Sequence, residues 1–251
     1  MFRQLLPAPG ELPDGAAVVD ALNFGELAHA ERPYLVLNMV TTVDGRATIG
    51  ARSGPIGNAA DQDLFHALRT RVDAVMVGAG TLRAERYGRL VRKPERREAR
   101  IRAGLAPDPL AVIVSGRLDL PDDLPLLHEP DQEVLVATFS DRQLPGPAIR
   151  YLRFDGGVVD IPRLLAILRG RGVRSVLCEG GPTLNAELLR AGGVDELFHC
   201  IAPKLAGEPD APTMVTGVLH ETIAMELVWL MENDSHLFAR FYLRGASSPA
   251  S

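Results

Sequence analysis

Short apolar runs alternate with helix-period segments through the middle of the chain. The runs at 34–41, 73–77, 110–115, 133–138, 148–154 and 173–178 are of strand length and rich in Val, Ile and Leu. Between them, 58–71, 161–169 and 182–191 carry apolar residues three and four positions apart, the period of a helix with one buried face. This succession predicts βαβ units around a mostly parallel sheet. Near the end, 225–231 and 236–243 are two long β runs joined by Glu232-Asn233-Asp234-Ser235, which predicts an antiparallel hairpin added to that sheet. Local punctuation supports the helices. Asn58 suits an N-cap, with Asp61 favourable to the dipole in the first turn; Pro182 suits a first helical position, and Gly192-Gly193 a stop. Residues 1–32 are rich in proline and alanine and show no sustained period before 18–27, which suits a short helix. They are expected to form an N-terminal arm, with a single domain over 33–244 and a disordered tail of small polar residues over 245–251.

Composition narrows the classes of function. A chain of 251 residues that is 46% hydrophobic and 24% charged has the make-up of an ordinary globular domain. The net charge of −5 and the lack of a Lys/Arg run argue against nucleic-acid binding. The most basic stretch, 92–102, is interrupted by Glu95 and Glu98 and reads as a solvated face from which an arginine can still reach a phosphate. Cys178 and Cys200 each sit inside an apolar run, as buried strand residues of a reducing, cytoplasmic compartment would. No secretory leader pattern and no stretch of about 18 apolar residues is present, so export and membrane insertion are not expected. The six histidines show no metal-ligand spacing, and no metal is expected. No serine or cysteine has the surroundings of an activated nucleophile.

The candidate chemistry lies at strand ends. Val77-Gly78-Ala79-Gly80-Thr81 and Cys178-Glu179-Gly180-Gly181-Pro182-Thr183-Leu184 both run from a strand through glycine into a helix. In a parallel sheet ligands bind at the carboxyl ends of the strands, and glycine lets backbone N–H groups approach a phosphate. An ordinary dinucleotide fingerprint is excluded, because Arg83 stands where the third glycine belongs and no ribose-binding acid follows about 20 residues on. Asp44, in Thr42-Val43-Asp44-Gly45-Arg46, is either a tight-turn residue or a carboxylate aimed at a heterocycle. Glu179 follows a core-like strand and needs a partner, whether a polar ligand or an arginine. Ser115-Gly116-Arg117 ends another strand, where Arg117 is either an exposed loop residue or the counter-charge of a 2′-phosphate.

Taken in order, these segments, with Val194-Asp195-Glu196-Leu197 and Ile201-Ala202-Pro203-Lys204-Leu205-Ala206-Gly207, resemble the riboflavin-biosynthesis reductase family over about residues 33–244. The family comprises the C-terminal reductase domains of bacterial bifunctional deaminase-reductases and their stand-alone relatives. The resemblance implies an α/β, dihydrofolate-reductase-like three-layer fold. It also implies a homodimer that uses NADPH to reduce the ribosyl group of a ribosylaminopyrimidine 5′-phosphate to ribityl. Thr81, Glu85, Ser115 and residues 181–187 match the family's cofactor contacts, and Gly78, Arg117 and Gly180 are expected beside them. Ser53, Arg69, Arg92 and Glu179 match positions that hold substrate; Asp44 would grip the heterocycle, and Asp44 and Glu179 are the expected catalytic pair. Three departures stand out. The zinc-deaminase signature is missing, so only the reductase half is represented. Gly54-Pro55-Ile56-Gly57 lacks the family's tryptophan, and Asn38 occupies the place of a lysine in the substrate pocket. A dihydrofolate or other pteridine reductase, and a nucleotide-binding protein without catalysis, are the competing expectations.

Overall fold

The structure, a computed structural model, describes residues 1–244, and the tail over 245–251 lies outside them. The chain begins with β1 (Phe2–Leu6), β2 (Gly10–Leu12) and a short helix, α1 (Gly15–Val19). The alternating region follows: β3 (Tyr34–Thr42), α2 (Ala59–Leu68), β4 (Ala74–Gly78), α3 (Ala79–Glu85) and α4 (Pro94–Arg102). Then come β5 (Leu110–Val114), β6 (Val134–Thr138), β7 (Ile149–Arg153), α5 (Ile161–Gly170), β8 (Ser175–Cys178) and α6 (Pro182–Arg190). β9 (Glu196–Ala202) precedes the hairpin of β10 (Met225–Asn233) and β11 (His236–Leu243).

All of the strands join one sheet, in the order β2-β1-β10-β11-β9-β3-β8-β4-β5-β6-β7. From β9 to β7 every pairing is parallel. The hairpin pairs antiparallel to β9, as the sequence predicts. Beyond it β1 and β2 extend the sheet antiparallel, two strands that the sequence reading does not contain because runs of five and three residues are too short to show a period. Helix in the arm is confined to Gly15–Val19, followed by a single 3₁₀ turn at Phe24–Leu27.

The sheet separates two cores, and strict alternation assigns its side chains to them. Val75 and Val77 of β4 face the core that holds Leu64 and Leu68 of α2, whereas Ala74 and Met76 face Leu164 and Leu168 of α5 and Leu184 and Leu188 of α6. β5 and β6 divide in the same way, with Ile113 and Val136 on one face and Val112 and Leu135 on the other. The result is the dihydrofolate-reductase-like three-layer α/β architecture that the resemblance implies.

Buried polar groups fix the frame. The Asn58 side chain caps α2 by accepting from the Asp61 amide at 2.9 Å. Asp195 accepts from the Leu35 amide and from both terminal nitrogens of Arg32 at 2.7–2.8 Å. Glu196 accepts bidentately from Arg240 at 2.7 Å and from the Tyr34 hydroxyl at 2.6 Å. Val194-Asp195-Glu196-Leu197 therefore holds β3 against β9 and β11. The 92–102 stretch is not solvated throughout, because Arg100 is fully buried. It donates to the carbonyls of Val72 and Ala106 at 2.7 and 2.8 Å and to that of Arg69, closing the carboxyl end of α2. Burial lowers its pKa to about 10.

Candidate active site

Because β8 lies between β3 and β4, the two glycine turns meet. The Gly78 amide donates to the Gly180 carbonyl at 2.7 Å. A Cβ on Gly78 would come within 3.1 Å of the Gly181 nitrogen, and one on Gly181 within 3.0 Å of Thr81 Oγ1, so any side chain there would press the two turns apart. Helix α6 starts here with Gly181 as N-cap and Pro182 in its first turn, its free amides facing a cleft of about 960 Å³ that crosses the ends of β3, β4, β5 and β8.

Most of the residues singled out in the sequence line this cleft: Asn38, Ser53, Arg69, Gly78, Thr81, Glu85 and Arg92, with Ser115, Arg117, Glu179, Gly181, Pro182, Thr183 and Leu184. Gly180 stands directly behind the glycine contact, its carbonyl turned to Gly78. Glu179 has its partner in Arg69. Both side chains are buried, and they bind bidentately at 2.7 and 2.8 Å. The guanidinium also donates to the Leu90 carbonyl at 2.7 Å and stacks on Phe65 and Tyr87 at 4.3 and 5.2 Å from the ring centroids. Burial works against its charge, but the Glu179 carboxylate raises its pKa nonetheless. Arg69 is thus tied to Glu179.

Asp44 is not brought into the cleft. Its carboxylate accepts from the Thr42 hydroxyl at 2.5 Å and from the amides of Ala206 and Gly207 at 3.1 and 2.9 Å. The Thr42 contact, with the two amides, lowers its pKa to about 2. It organises the Asp-Gly turn and the loop after β9. Glu85 and Ser53, expected to touch different ligands, bind each other: one Glu85 oxygen accepts from the Ser53 amide at 2.7 Å and from its hydroxyl at 2.8 Å. Lys204 fastens the same loop by donating to the carbonyls of Pro55 and Ile56 at 2.7 and 2.9 Å.

Electrostatics divides the arginines of the cleft. Arg69, Arg83, Arg86 and Arg89 pair with Glu179, Asp119, Asp123 and Asp108. Arg92 and Arg117 line the cleft too, are exposed, and have no acidic partner among the described residues. They come from separate segments: Arg117 follows β5 next to Ser115, and Arg92 lies beside Gly88, on the stretch that joins α3 to α4. A site with two unmatched guanidinium groups suits a ligand, or a pair of ligands, with two separate phosphates.

Sequence reasoning missed three side chains of the wall. Phe139 packs so closely on Gly116 that a Cβ there would overlap its ring. The Tyr87 hydroxyl is pushed well up by burial and by the nearby Glu179. Asp61, read only as a first-turn dipole residue, is buried and faces the cleft. Its signal was present: a carboxylate three and seven positions before Leu64 and Leu68 is on the inward face of its helix. Among the described residues no group of three or more His, Cys, Asp or Glu is placed to hold a metal ion, and no helix is long and apolar enough to cross a membrane.

Residues 33–237 match the family described as the RibD C-terminal domain. The 2,5-diamino-6-ribosylamino-4(3H)-pyrimidinone 5′-phosphate reductase of Methanothermobacter thermautotrophicus is 33% identical over 193 residues, 74% of this chain and 85% of that protein. The protein of the same name from Archaeoglobus fulgidus is 32% identical over 74% of this chain and 87% of its own length. The riboflavin biosynthesis protein RibD of Mycobacterium tuberculosis is 29% identical over 80% of this chain but only 52% of its own length. Among solved structures, a pyrimidine reductase-like protein from Corynebacterium diphtheriae superposes with a TM-score of 0.75 at 24% identity, covering 92% of this chain and 98% of that one. The Thermotoga maritima deaminase/reductase gives 0.70 at 23% identity over 84% of this chain and 57% of its own. At those identities the structural likeness is one of fold.

Proposed function

Since the chain belongs to the RibD C-terminal domain family, we propose that it reduces the ribosyl group of a ribosylaminopyrimidine 5′-phosphate to ribityl, as a step of riboflavin biosynthesis, with NADPH as the reductant. The substrate class is that named for the archaeal relatives. The observation that carries the reading is the pair of unmatched arginines in the cleft that also holds the two glycine turns. Arg92 answers the substrate's 5′-phosphate and Arg117, with the Ser115 hydroxyl, the 2′-phosphate that distinguishes NADPH from NADH.

A reduced nicotinamide supplies the hydride when bound. The residues present fit such a cofactor: Gly78 and Gly181 let the two strand-end turns pack against each other, and the first-turn amides of α6, at Thr183 and Leu184, suit its pyrophosphate. On this reading the β5 end takes the adenosine phosphate and the β3 end, with Asn38, the reacting groups, in keeping with the order of the strands. Glu179 is held rigid by Arg69 and retains lone pairs for a sugar hydroxyl. The protein's main contributions are orientation and the exclusion of water. The same reading makes this a cytoplasmic homodimer, which the exposed apolar residues Met225, Leu227 and Leu237 of the hairpin support.

Steady-state oxidation of NADPH tests the assignment. The purified chain is expected to turn over the 2,5-diamino pyrimidinone ribosyl phosphate or its deaminated counterpart, and to leave dihydrofolate essentially untouched. Faster turnover of dihydrofolate would replace this reading with that of a pteridine reductase, and tight NADPH binding without any turnover would leave a nucleotide-binding protein.

A further inference from the structure

Reduction of a carbon–nitrogen double bond consumes a proton as well as a hydride, and most acidic groups of the cleft are already engaged. Glu179 is bound by Arg69, Glu85 by Ser53, and Asp119 by Arg83. Asp61 differs. It is 8% exposed, faces the cleft, and receives no hydrogen bond from any amide, hydroxyl or guanidinium among the described residues. Gly57 lies so close that a side chain there would overlap the carboxyl.

Its position follows from the sheet. Along α2, Asp61, Phe65 and Arg69 stand one turn apart and all line the cleft, so Asp61 is about 12 Å from Arg69 at 1.5 Å rise per residue. Across the sheet, β9 is the strand next to β3 on the side away from β8, and Cys200 of β9 pairs in register with Val40 of β3. The thiol of Cys200 is a neighbour of the Asp61 carboxyl. Asp61 therefore belongs to the β3 end, opposite Ser115 and Arg117.

We propose that Asp61 is the acid that protonates the substrate nitrogen during reduction. This rests on the function proposed above. In the opened ribosylamine, C1′ of the C1′=N bond takes the hydride, the π pair moves to nitrogen, and nitrogen takes the Asp61 proton. The sugar carbon is reduced by two electrons, the nicotinamide is oxidised, and the carboxylate is reprotonated from solvent. A group in this role must be protonated near neutrality. Burial raises Asp61 from 3.8 to about 6, opposed by the Cys200 thiol of β9 and by His236 of β11. Lys204, which acts on Cys200, is the nearby cation.

The test uses the full chain with NADPH and the ribosylaminopyrimidine phosphate. Asp61→Asn is expected to lower kcat by roughly 10²–10⁴-fold with little change in either KM. The wild-type kcat should fall with unit slope as pH rises above an apparent pKa near 6, and the residual rate of the variant should lack this limb. In parallel, carbon NMR of the Asp61 carboxyl in the cofactor-free wild type should show it titrating near pH 6, a readout independent of turnover and of the variant's folding. A kcat within about threefold of wild type with the same pH limb would overturn the role, as would loss of that limb in His66→Gln instead, or a carboxyl that titrates below pH 5. Those outcomes leave the substrate assignment standing. Absence of wild-type turnover on any ribosylaminopyrimidine removes both.

Discussion

Glu179 and Arg69 are 110 residues apart in sequence and meet inside the cleft with almost no solvent around them. Removing one charge leaves the other buried and unmatched, which costs about 3–5 kcal/mol. Glu179→Gln is therefore expected to lower unfolding stability in urea by that amount, besides any effect on turnover, whereas a loss below about 1 kcal/mol would show that water reaches the guanidinium. Arg117 is a contrasting case, exposed and unpaired. Arg117→Ala should leave stability unchanged and weaken NADPH binding by about 2 kcal/mol, roughly thirtyfold, without affecting NADH. An unchanged preference between the two cofactors would shift the 2′-phosphate site elsewhere. The need of Glu179 for a partner was legible in the sequence, because a carboxylate ending a core strand is otherwise too costly to bury. The identity of that partner was not, since nothing local links positions so far apart. At Asp44 the local reading prevailed: Thr42 and the turn itself, helped by two amides from the loop after β9, use both carboxylate oxygens.

At the scale of elements, periodicity located the parallel strands and the larger helices because each has to bury one face or both. It failed for β1, which pairs with β10 more than 220 residues away, and for β2, which pairs with β1. It also misread α4. A helix written Pro94-Glu95-Arg96-Arg97-Glu98-Ala99-Arg100-Ile101-Arg102 looks solvated on all sides, yet its Arg100 is fully buried and its Ile101 exposed. The inversion follows from what Arg100 does, which is to satisfy the carbonyls of Arg69 at the end of α2, of Val72 before β4 and of Ala106 after α4. Arg100→Met keeps the bulk and removes the donors, leaving three carbonyls short of a partner. At about 1 kcal/mol for each, stability should fall by about 3 kcal/mol in chemical denaturation. One of those carbonyls belongs to Arg69, so turnover should fall as well. A variant as stable as wild type would mean that water takes over the capping.

For the whole molecule, the two faces of the sheet are not equally covered. The central parallel strands lie between helices, but the hairpin leaves Met225, Leu227 and Leu237 exposed on the face turned away from the first core. Placing these apolar side chains against a second copy removes them from water, at about 25 cal/mol for each Å² buried. The chain is thus expected to sediment as a dimer of twice 27.1 kDa, and Leu227→Glu to shift it to monomer while leaving helix content intact. A wild-type protein that remains monomeric at micromolar concentration would count against the homodimer. The position of β8 has a further consequence, for synthesis. Its residues 175–178 are the wedge between β3 and β4, which leave the ribosome about 140 and about 100 residues earlier. At 5–20 residues per second, β4 waits roughly 5–20 s and β3 roughly 7–28 s for the strand that separates them. Over that interval the nascent chain has apolar edges and no sheet centre, so its vulnerability to aggregation should peak before residue 178 emerges and fall sharply once it has.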